Sequence, residues 1–136
     1  MNLDANDRVH QLVQRPSVYV HPNDTLKRVA QTLIEESIGA ALVRGPHGAI
    51  GLVSERDIVR ALADGADPSV TRAEEVMVEE LVTVGPNDST LDAVHRMLDA
   101  EVRHLPVVED GVAGGMISAR DALRALLEAQ EMSSGG

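Results

Sequence analysis

GLVSERDIVRAL, residues 51–62, returns 64 positions later as GMISARDALRAL, residues 115–126. In each copy a glycine and a short apolar run end at a serine, and the apolar residues that follow switch to helical spacing, as in Ile58, Val59 and Leu62. That change of period predicts a strand running straight into a helix. The Ser-x-x-Asp at the change, Ser54 to Asp57 and Ser118 to Asp121, has the spacing of a capping box, in which hydroxyl and carboxylate each satisfy a backbone N–H of the helix start. Arg56 and Arg120 do not serve that purpose, because a cation in the first turn opposes the helix dipole at a cost of about 0.3–1 kcal/mol. The junction is therefore either a well-made cap or a cap that doubles as a binding site.

The duplication reaches far beyond this motif. Val18 and Val20 match Val82 and Val84, and Pro22-Asn23-Asp24 match Pro86-Asn87-Asp88, again at a spacing of 64. Reading Ser89 as one inserted residue moves the next helix to a spacing of 65, aligning Thr25, Leu26, Val29, Leu33 and Glu36 with Thr90, Leu91, Val94, Leu98 and Glu101. A contraction around 109–114 then restores 64. Each copy parses as strand, helix, strand, strand, helix, with the Asn or Asp of the Pro-Asn-Asp turn capping the first helix and Gly39 stopping it. Leu26, Val29, Ala30, Leu33 and Ile34 form one apolar stripe, and Leu91, Val94 and Leu98 repeat it. The expected boundaries are 1–65 for an N-terminal helix and first repeat, 66–76 for a linker, 77–132 for the second repeat and 133–136 for a flexible tail. Within the linker, Thr71 and Glu74 are spaced as a capping box. In the N-terminal helix, expected over ANDRVHQLVQ, Val9, Leu12 and Val13 share a side.

Composition narrows the partners. The formal charge is −10, which speaks against a duplex nucleic-acid ligand, since that needs a basic face to displace counterions. Any phosphate must be met by local arginines. The chain has no cysteine, so disulfides and thiolate metal sites are out of reach, and a reducing compartment fits. With no long apolar run, neither a membrane span nor a signal peptide is expected, and the location expected is cytoplasmic. Tyr19 is the only aromatic residue, so the core must be built from aliphatic side chains, as suits strands beneath helices.

Taken together, V-x-V-x-P-x-D at the start of each unit, G-x-h-[ST]-x-x-D at the last strand-to-helix junction, and the strand Arg103-His104-Leu105-Pro106-Val107-Val108 resemble the paired CBS domains first named from cystathionine β-synthase. The resemblance spans roughly residues 9–130. It implies an α/β (α+β) fold of tandem CBS repeats packed with pseudo-twofold symmetry about two clefts. It further implies a regulatory, non-enzymatic module that binds an adenosine ligand (AMP, ADP, ATP, NADH or S-adenosylmethionine), forms a homodimer and acts on a separate effector protein. No cofactor is required on this reading, although Mg2+ can enter with ATP.

The resemblance places Ser54 and Ser118 at ribose or phosphate, and Asp57 and Asp121 at the ribose hydroxyls. Arg56 and Arg120, with Arg60 and Arg124 one turn further on, would give a positive edge to the helix start, where anions bind. An aliphatic adenine pocket would draw on Val18, Tyr19, Val82, Thr83, and Ala40 or Leu105. Arg103, His104, Leu105 and Pro106 give the second copy polar contacts that Ile38-Gly39-Ala40-Ala41, aligned with them at a spacing of 65, lacks in the first. Tyr19 reads as a base-stacking residue or an ordinary strand residue, and His104 as a phosphate contact or a partly buried polar group. GPHGAIG, residues 45–51, lacks the lysine of a phosphate loop and reads as a hairpin turn. No histidines stand at metal-ligand spacing, and no serine has a histidine base in a nucleophile elbow. The competing reading is a ligand-free dimerisation or docking module on the same fold.

Overall fold

The computed structural model describes residues 7–13 and 16–135. The chain divides into two compact units, Val18–Leu81 and a second that joins the residues up to Ser17 to those from Val82 onward. The first unit contains β1 (Tyr19–Val20), α1 (Leu26–Glu36), β2 (Ala40–Gly45), β3 (Gly48–Ser54), α2 (Glu55–Ala63) and a single turn, α3 (Ala73–Val76). Its sheet has the order β1-β2-β3, with β1 parallel and β3 antiparallel to β2. The second unit contains a 3-10 turn (Val9–Gln11), α4 (Thr90–Ala100), β4 (His104–Glu109), β5 (Val112–Ser118) and α5 (Ala119–Gly135). Its counterpart of β1 is reduced to Val84, which bridges Val107 in parallel. The hairpin from β4 to β5 turns on Asp110 and Gly111, both at positive φ (53° and 78°), as a two-residue turn matched to strand twist requires.

The repeat runs at a spacing of 64 throughout, without the insertion and contraction expected from the sequence. Both helices that open a unit begin after a capping hydroxyl: Thr25 accepts from the Arg28 N–H at 3.2 Å, and Ser89 from the Asp92 N–H at 3.0 Å. Ser89 is thus the equivalent of Thr25 and not an extra residue. Consequently α4 buries Thr90, Ala93 and Met97, whereas Leu91 and Leu98 of the expected stripe are 43% and 70% exposed. In α1, Leu26, Val29 and Leu33 are buried as expected, but Ile34 is 80% exposed. Both helices end on a residue in left-handed conformation, Ser37 (φ 54°) and Glu101 (φ 56°). Gly39 is not the stop, because the chain has already turned at Ser37, whose N–H reaches back to Ile34. The Pro-Asn-Asp aspartates are not the caps either. Asp24 accepts from the His21 N–H at 3.0 Å and Asp88 from the Gly85 N–H at 2.8 Å, so each closes its own turn.

The two cores correspond residue for residue. Val20, Val29, Leu33, Ala41, Val43 and Val53 of the first unit stand where Val84, Ala93, Met97, Leu105, Val107 and Ile117 stand in the second. The smaller Ala93 is offset by the larger Leu105, a volume exchange that cores tolerate. The first core also holds Ile58 of α2, and each core takes one further member from the segment that precedes the other repeat: Ala73 in the first unit and Val9 in the second, both fully buried. Main-chain bonds dock these segments in the same way. The Ala73 N–H donates to the Asp24 carbonyl and the Val9 N–H to the Asp88 carbonyl, each at 2.8 Å, while Glu74 and His10 donate to the Pro22 and Pro86 carbonyls at 3.0 Å. Arg72 reaches the Asn23 carbonyl and Arg8 the Asn87 carbonyl. The close approach requires glycine on the receiving strand: a Cβ on Gly51 would sit 2.5 Å from the Met77 sulfur, and one on Gly115 would sit 2.5 Å from a Val13 methyl.

These contacts revise two expectations. The described part of the N-terminal segment is a 3-10 turn, Val9–Gln11, in which the Gln11 and Leu12 N–H groups bond back three residues to the Arg8 and Val9 carbonyls; residues 5, 6 and 14 of the expected helix lie outside the described residues. The cap in 66–76 lies one residue later than Thr71 and Glu74: the Glu75 carboxylate accepts from the Arg72 N–H at 2.7 Å, while the Thr71 carbonyl accepts from Leu26. At the other end α5 continues to Gly135, through residues read from the sequence as a tail.

The register has a direct test. In the monomeric chain, Met97→Ala is expected to lower the unfolding free energy by about 2–5 kcal/mol and Leu98→Ala by less than about 0.5 kcal/mol, measured from urea midpoints at a concentration low enough to dissociate any dimer. Acid titration tests the α4 cap. The Ser89 hydroxyl and then its N–H hold the Asp92 carboxyl below its ordinary value of 3.8. A carboxylate lowered in the folded state contributes stability above its unfolded pKa and loses it as pH falls through the folded one. Asp92→Asn should therefore lower the melting temperature at pH 7 and converge with the parent chain as the pH drops below 3.8.

Candidate functional site

Both Ser-x-x-Asp junctions are built by the same backbone. Ser54 is the last residue of β3 and pairs with Ala40 at the start of β2; Ser118 ends β5 and pairs with His104. Strand gives way to helix at once, because the Glu55 N–H donates to the Gly39 carbonyl at 2.9 Å and the Ala119 N–H to the Arg103 carbonyl at 2.7 Å. Both halves of the capping box are made. Asp57 accepts from the Ser54 N–H at 2.8 Å and Asp121 from the Ser118 N–H at 2.8 Å, while the serine hydroxyls accept from the Asp57 and Asp121 N–H groups at 3.2 and 3.0 Å. Ser54 also donates its hydroxyl to Asp57 at 2.9 Å.

These bonds leave acceptor capacity on each aspartate, since a carboxylate has about four lone-pair sites. The two junctions can therefore be caps and still present oxygens to a ligand diol. Both serines and both aspartates are partly exposed, and Arg56 and Arg120 are exposed on the first helical turn.

Register decides which other candidates share this edge. Val18 accepts from the Leu42 N–H at 2.9 Å, so the chain entering β1 lies at the same end of the sheet as Ala40 and Ser54. In the second unit Val84 takes an N–H···O bond to Pro106 at 3.1 Å, which brings the preceding Val82 and Thr83 toward the end that holds His104 and Ser118. The Thr83 carbonyl is occupied by Arg96, at 2.9 Å. Val18, Tyr19, Val82, Thr83 and His104 are partly exposed and Arg103 is exposed, whereas Ala40, Leu105 and Pro106 are buried. The Arg44 guanidinium stands 4.1 Å from the centre of the Tyr19 ring, so a cation covers one face of the only aromatic side chain.

With a spacing of 64, Arg103 and His104 are the equivalents of Gly39 and Ala40, one residue later than the sequence alignment placed them. The two junctions thus share a backbone and differ in the side chains that flank it. Three polar residues absent from the sequence-derived set also border the second junction: Asp7, Gln11 and Glu128 line a pocket with Asp121. Asp7 and Gln11 were missed because residues 7–13 were assigned to the first repeat, and the 64-residue match of Arg8-Val9 to Arg72-Ala73 was the signal that could have found them; Glu128 lies on α5, about two turns beyond Asp121.

A family model for the CBS domain matches the chain twice, at residues 9–64 and 73–128. The chain belongs to the CBS domain family. Each match includes the docking segment, and the two begin 64 residues apart. CBS domain-containing protein YhcV of Bacillus subtilis is 34% identical over 103 residues, which cover 75% of this chain and 73% of that protein. The mitochondrial CBS domain-containing protein CBSX3 of Arabidopsis thaliana is 32% identical over 111 residues, 77% of this chain and 54% of that one, so the chain spans about half the length of this relative. Among solved structures, a putative signal-transduction protein with CBS domains from Burkholderia ambifaria superposes with a TM-score of 0.86 at 30% identity, covering 91% of this chain and 96% of that one. The CBS domain pair of protein MJ0100, in complex with 5′-methylthioadenosine and S-adenosyl-L-methionine, has a TM-score of 0.78 at 24% identity over 87% of this chain and 98% of that one, a likeness of fold.

The fold is thus a tandem CBS pair of α+β type, and proteins built on this pair are generally regulatory or signalling modules. Among the described residues no helix is long and apolar enough to cross a membrane, and no group of three or more His, Asp or Glu side chains is placed to hold a metal ion. As caps, the junctions carry a defined share of stability. Ser54→Ala and Ser118→Ala should each lower the unfolding free energy by about 0.5–2 kcal/mol in urea titrations, whether or not a ligand binds.

Proposed function

We propose that this CBS pair is a non-enzymatic regulatory module that binds an adenosine ligand at one or both Ser-x-x-Asp junctions. The observation that carries the reading is the repetition of the junction on an identical backbone with an exposed arginine in the first helical turn, Arg56 and Arg120, a placement that helix stability disfavours. Asp57 and Asp121 would take the ribose hydroxyls on the lone pairs that capping leaves open. Ser54 and Ser118, with the helix-start N–H groups and the arginines, would meet polar groups attached to the ribose. Val18, Tyr19, Val82 and Thr83 offer the partly exposed strand surface for the base, and Arg103 and His104 make the second junction the more polar of the two. The solved pair that carries 5′-methylthioadenosine and S-adenosyl-L-methionine supports the ligand class.

The module would act in the cytoplasm as a homodimer on a separate effector protein. Support for the dimer comes from the helices. At equivalent positions in the two units, Ile34 and Leu98 are 80% and 70% exposed, and Val59 and Leu123 are 65% and 66% exposed. Large aliphatic side chains exposed at the same places in both units mark a surface meant for a partner. The same observation favours a second reading, a docking module whose junctions hold no ligand.

Thermal unfolding followed by circular dichroism separates the two. With AMP, ADP, ATP, NADH and S-adenosylmethionine tested singly, a ligand at 100 times its Kd adds about 2.7 kcal/mol, a rise of several degrees in Tm. The proposal expects such a rise with at least one ligand and its loss in Asp57→Ala or Asp121→Ala. No rise with any of them would leave the docking reading.

A further inference from the structure

The chain has no cysteine, so the sulfur chemistry open to a peroxide is that of its five methionines. Of those whose side chains are described, Met97 is 5% exposed inside the second core, whereas Met77 and Met116 are partly exposed. Met77 holds an exchanged segment in place. Its N–H donates to the Ala73 carbonyl at 2.9 Å, its side chain packs against the first core, and its sulfur lies over Gly51, 2.5 Å from where a Cβ would stand. The next residue, Val78, exchanges two main-chain bonds with Leu52 of β3, at 2.9 and 3.0 Å.

The sulfoxide does not suit this contact. Oxidation adds a heavy atom and turns a flexible apolar side chain into a polar, chiral one. Gly51 is buried, and the thioether already fills the space that its missing Cβ leaves. The new oxygen must either be pressed into a filled contact and lose water, or swing outward and take the side chain with it. The second unit has no such weakness. There Val13 stands over Gly115 at the place of Met77, 64 residues earlier, and carries no sulfur. Met116 matches Leu52 and lies outside both cores and both exchanged segments.

We propose that Met77 is a redox-sensitive latch: its oxidation by a peroxide releases residues 73–78 from the first unit and leaves residues 8–13 docked in the second. With hydrogen peroxide, the sulfur lone pair forms the S–O bond, the O–O bond breaks, and the proton of the transferred oxygen passes to the departing hydroxide to give water. Sulfur gives up two electrons and the peroxide takes them. Reduction by two thiols through a methionine sulfoxide reductase reverses the step, yielding a disulfide and water. Gly51 and Ser54 lie on one strand, so the release acts on β3, whose end forms the first junction, while β5 keeps Val13.

Hydrogen exchange of the full chain before and after treatment with hydrogen peroxide tests it, with mass spectrometry of peptides locating the added oxygen. Met77 is expected to oxidise ahead of Met97. In the oxidised chain the Ala73, Glu74 and Val78 amides should exchange faster by about tenfold or more, with those of Val9 and His10 unchanged, and treatment with methionine sulfoxide reductase and a thiol should restore the original rates. Met77→Leu keeps the packing volume without the sulfur, so peroxide should leave its exchange unaltered even as Met116 oxidises. Met116→Leu should respond to peroxide as the parent chain does. Oxidation of Met77 no faster than that of Met97, unchanged exchange at the three amides once Met77 is oxidised, or the same gain in Met77→Leu would each overturn the latch.

Discussion

Everything in this fold depends on two short segments delivering their N–H groups to two turns. Residues 72–74 donate to the carbonyls of Pro22 and Asp24, and residues 8–10 to those of Pro86 and Asp88. A carbonyl can receive a strand only if it is held still, and the Asp24 and Asp88 carboxylates hold it by closing their turns onto the His21 and Gly85 N–H groups. Once docked, Ala73 and Val9 complete the two cores, and Gly51 and Gly115 leave room for Met77 and Val13. Each unit is therefore unfinished without the segment that precedes the other repeat. A unit of about 50 residues buries too little surface to be comfortable alone, and the exchanged segment supplies part of what is missing.

The same constraint explains what could be read from the sequence and what could not. Strand, helix, strand, strand and helix were legible because each element announces itself locally, by a change of apolar period or by a capping pair such as Ser54 and Asp57. The CBS resemblance was legible from the same residues. The register of the second opening helix was not. Leu91, Val94 and Leu98 look like a better apolar stripe than Thr90, Ala93 and Met97, and only the cap at Ser89 shows that the helix starts one residue earlier than the stripe suggests. The role of Pro-Asn-Asp was misassigned for a related reason: its aspartates serve contacts with a segment far away in the chain, and local spacing carries no record of that. The non-glycine stops at Ser37 and Glu101 likewise have no strong local signal, since residues other than glycine and asparagine seldom occupy the left-handed region.

At the candidate site, the capping geometry was legible and the surroundings were only partly so. Ser54, Asp57, Ser118 and Asp121 lie where the spacing put them. The one-residue shift brings Arg103 and His104 opposite Gly39 and Ala40, which makes the two junctions equal in backbone and unequal in polarity. Asp7 and Gln11 could join Asp121 only through the exchanged segment, so a reading that kept residues 7–13 with the first repeat had no route to them. The duplicated junction thus has one backbone and two different margins.

Hydrogen exchange followed by NMR tests the exchanged segments most directly. Amides that open only on global unfolding are protected by the full unfolding free energy, whereas those of a loosely attached terminus or linker exchange freely. The account predicts that the Val9, His10, Ala73 and Glu74 amides exchange within about tenfold of those in the β2–β3 and β4–β5 ladders. Exchange of Val9 and Ala73 at the rate of an unstructured chain, with the ladders still protected, would contradict it.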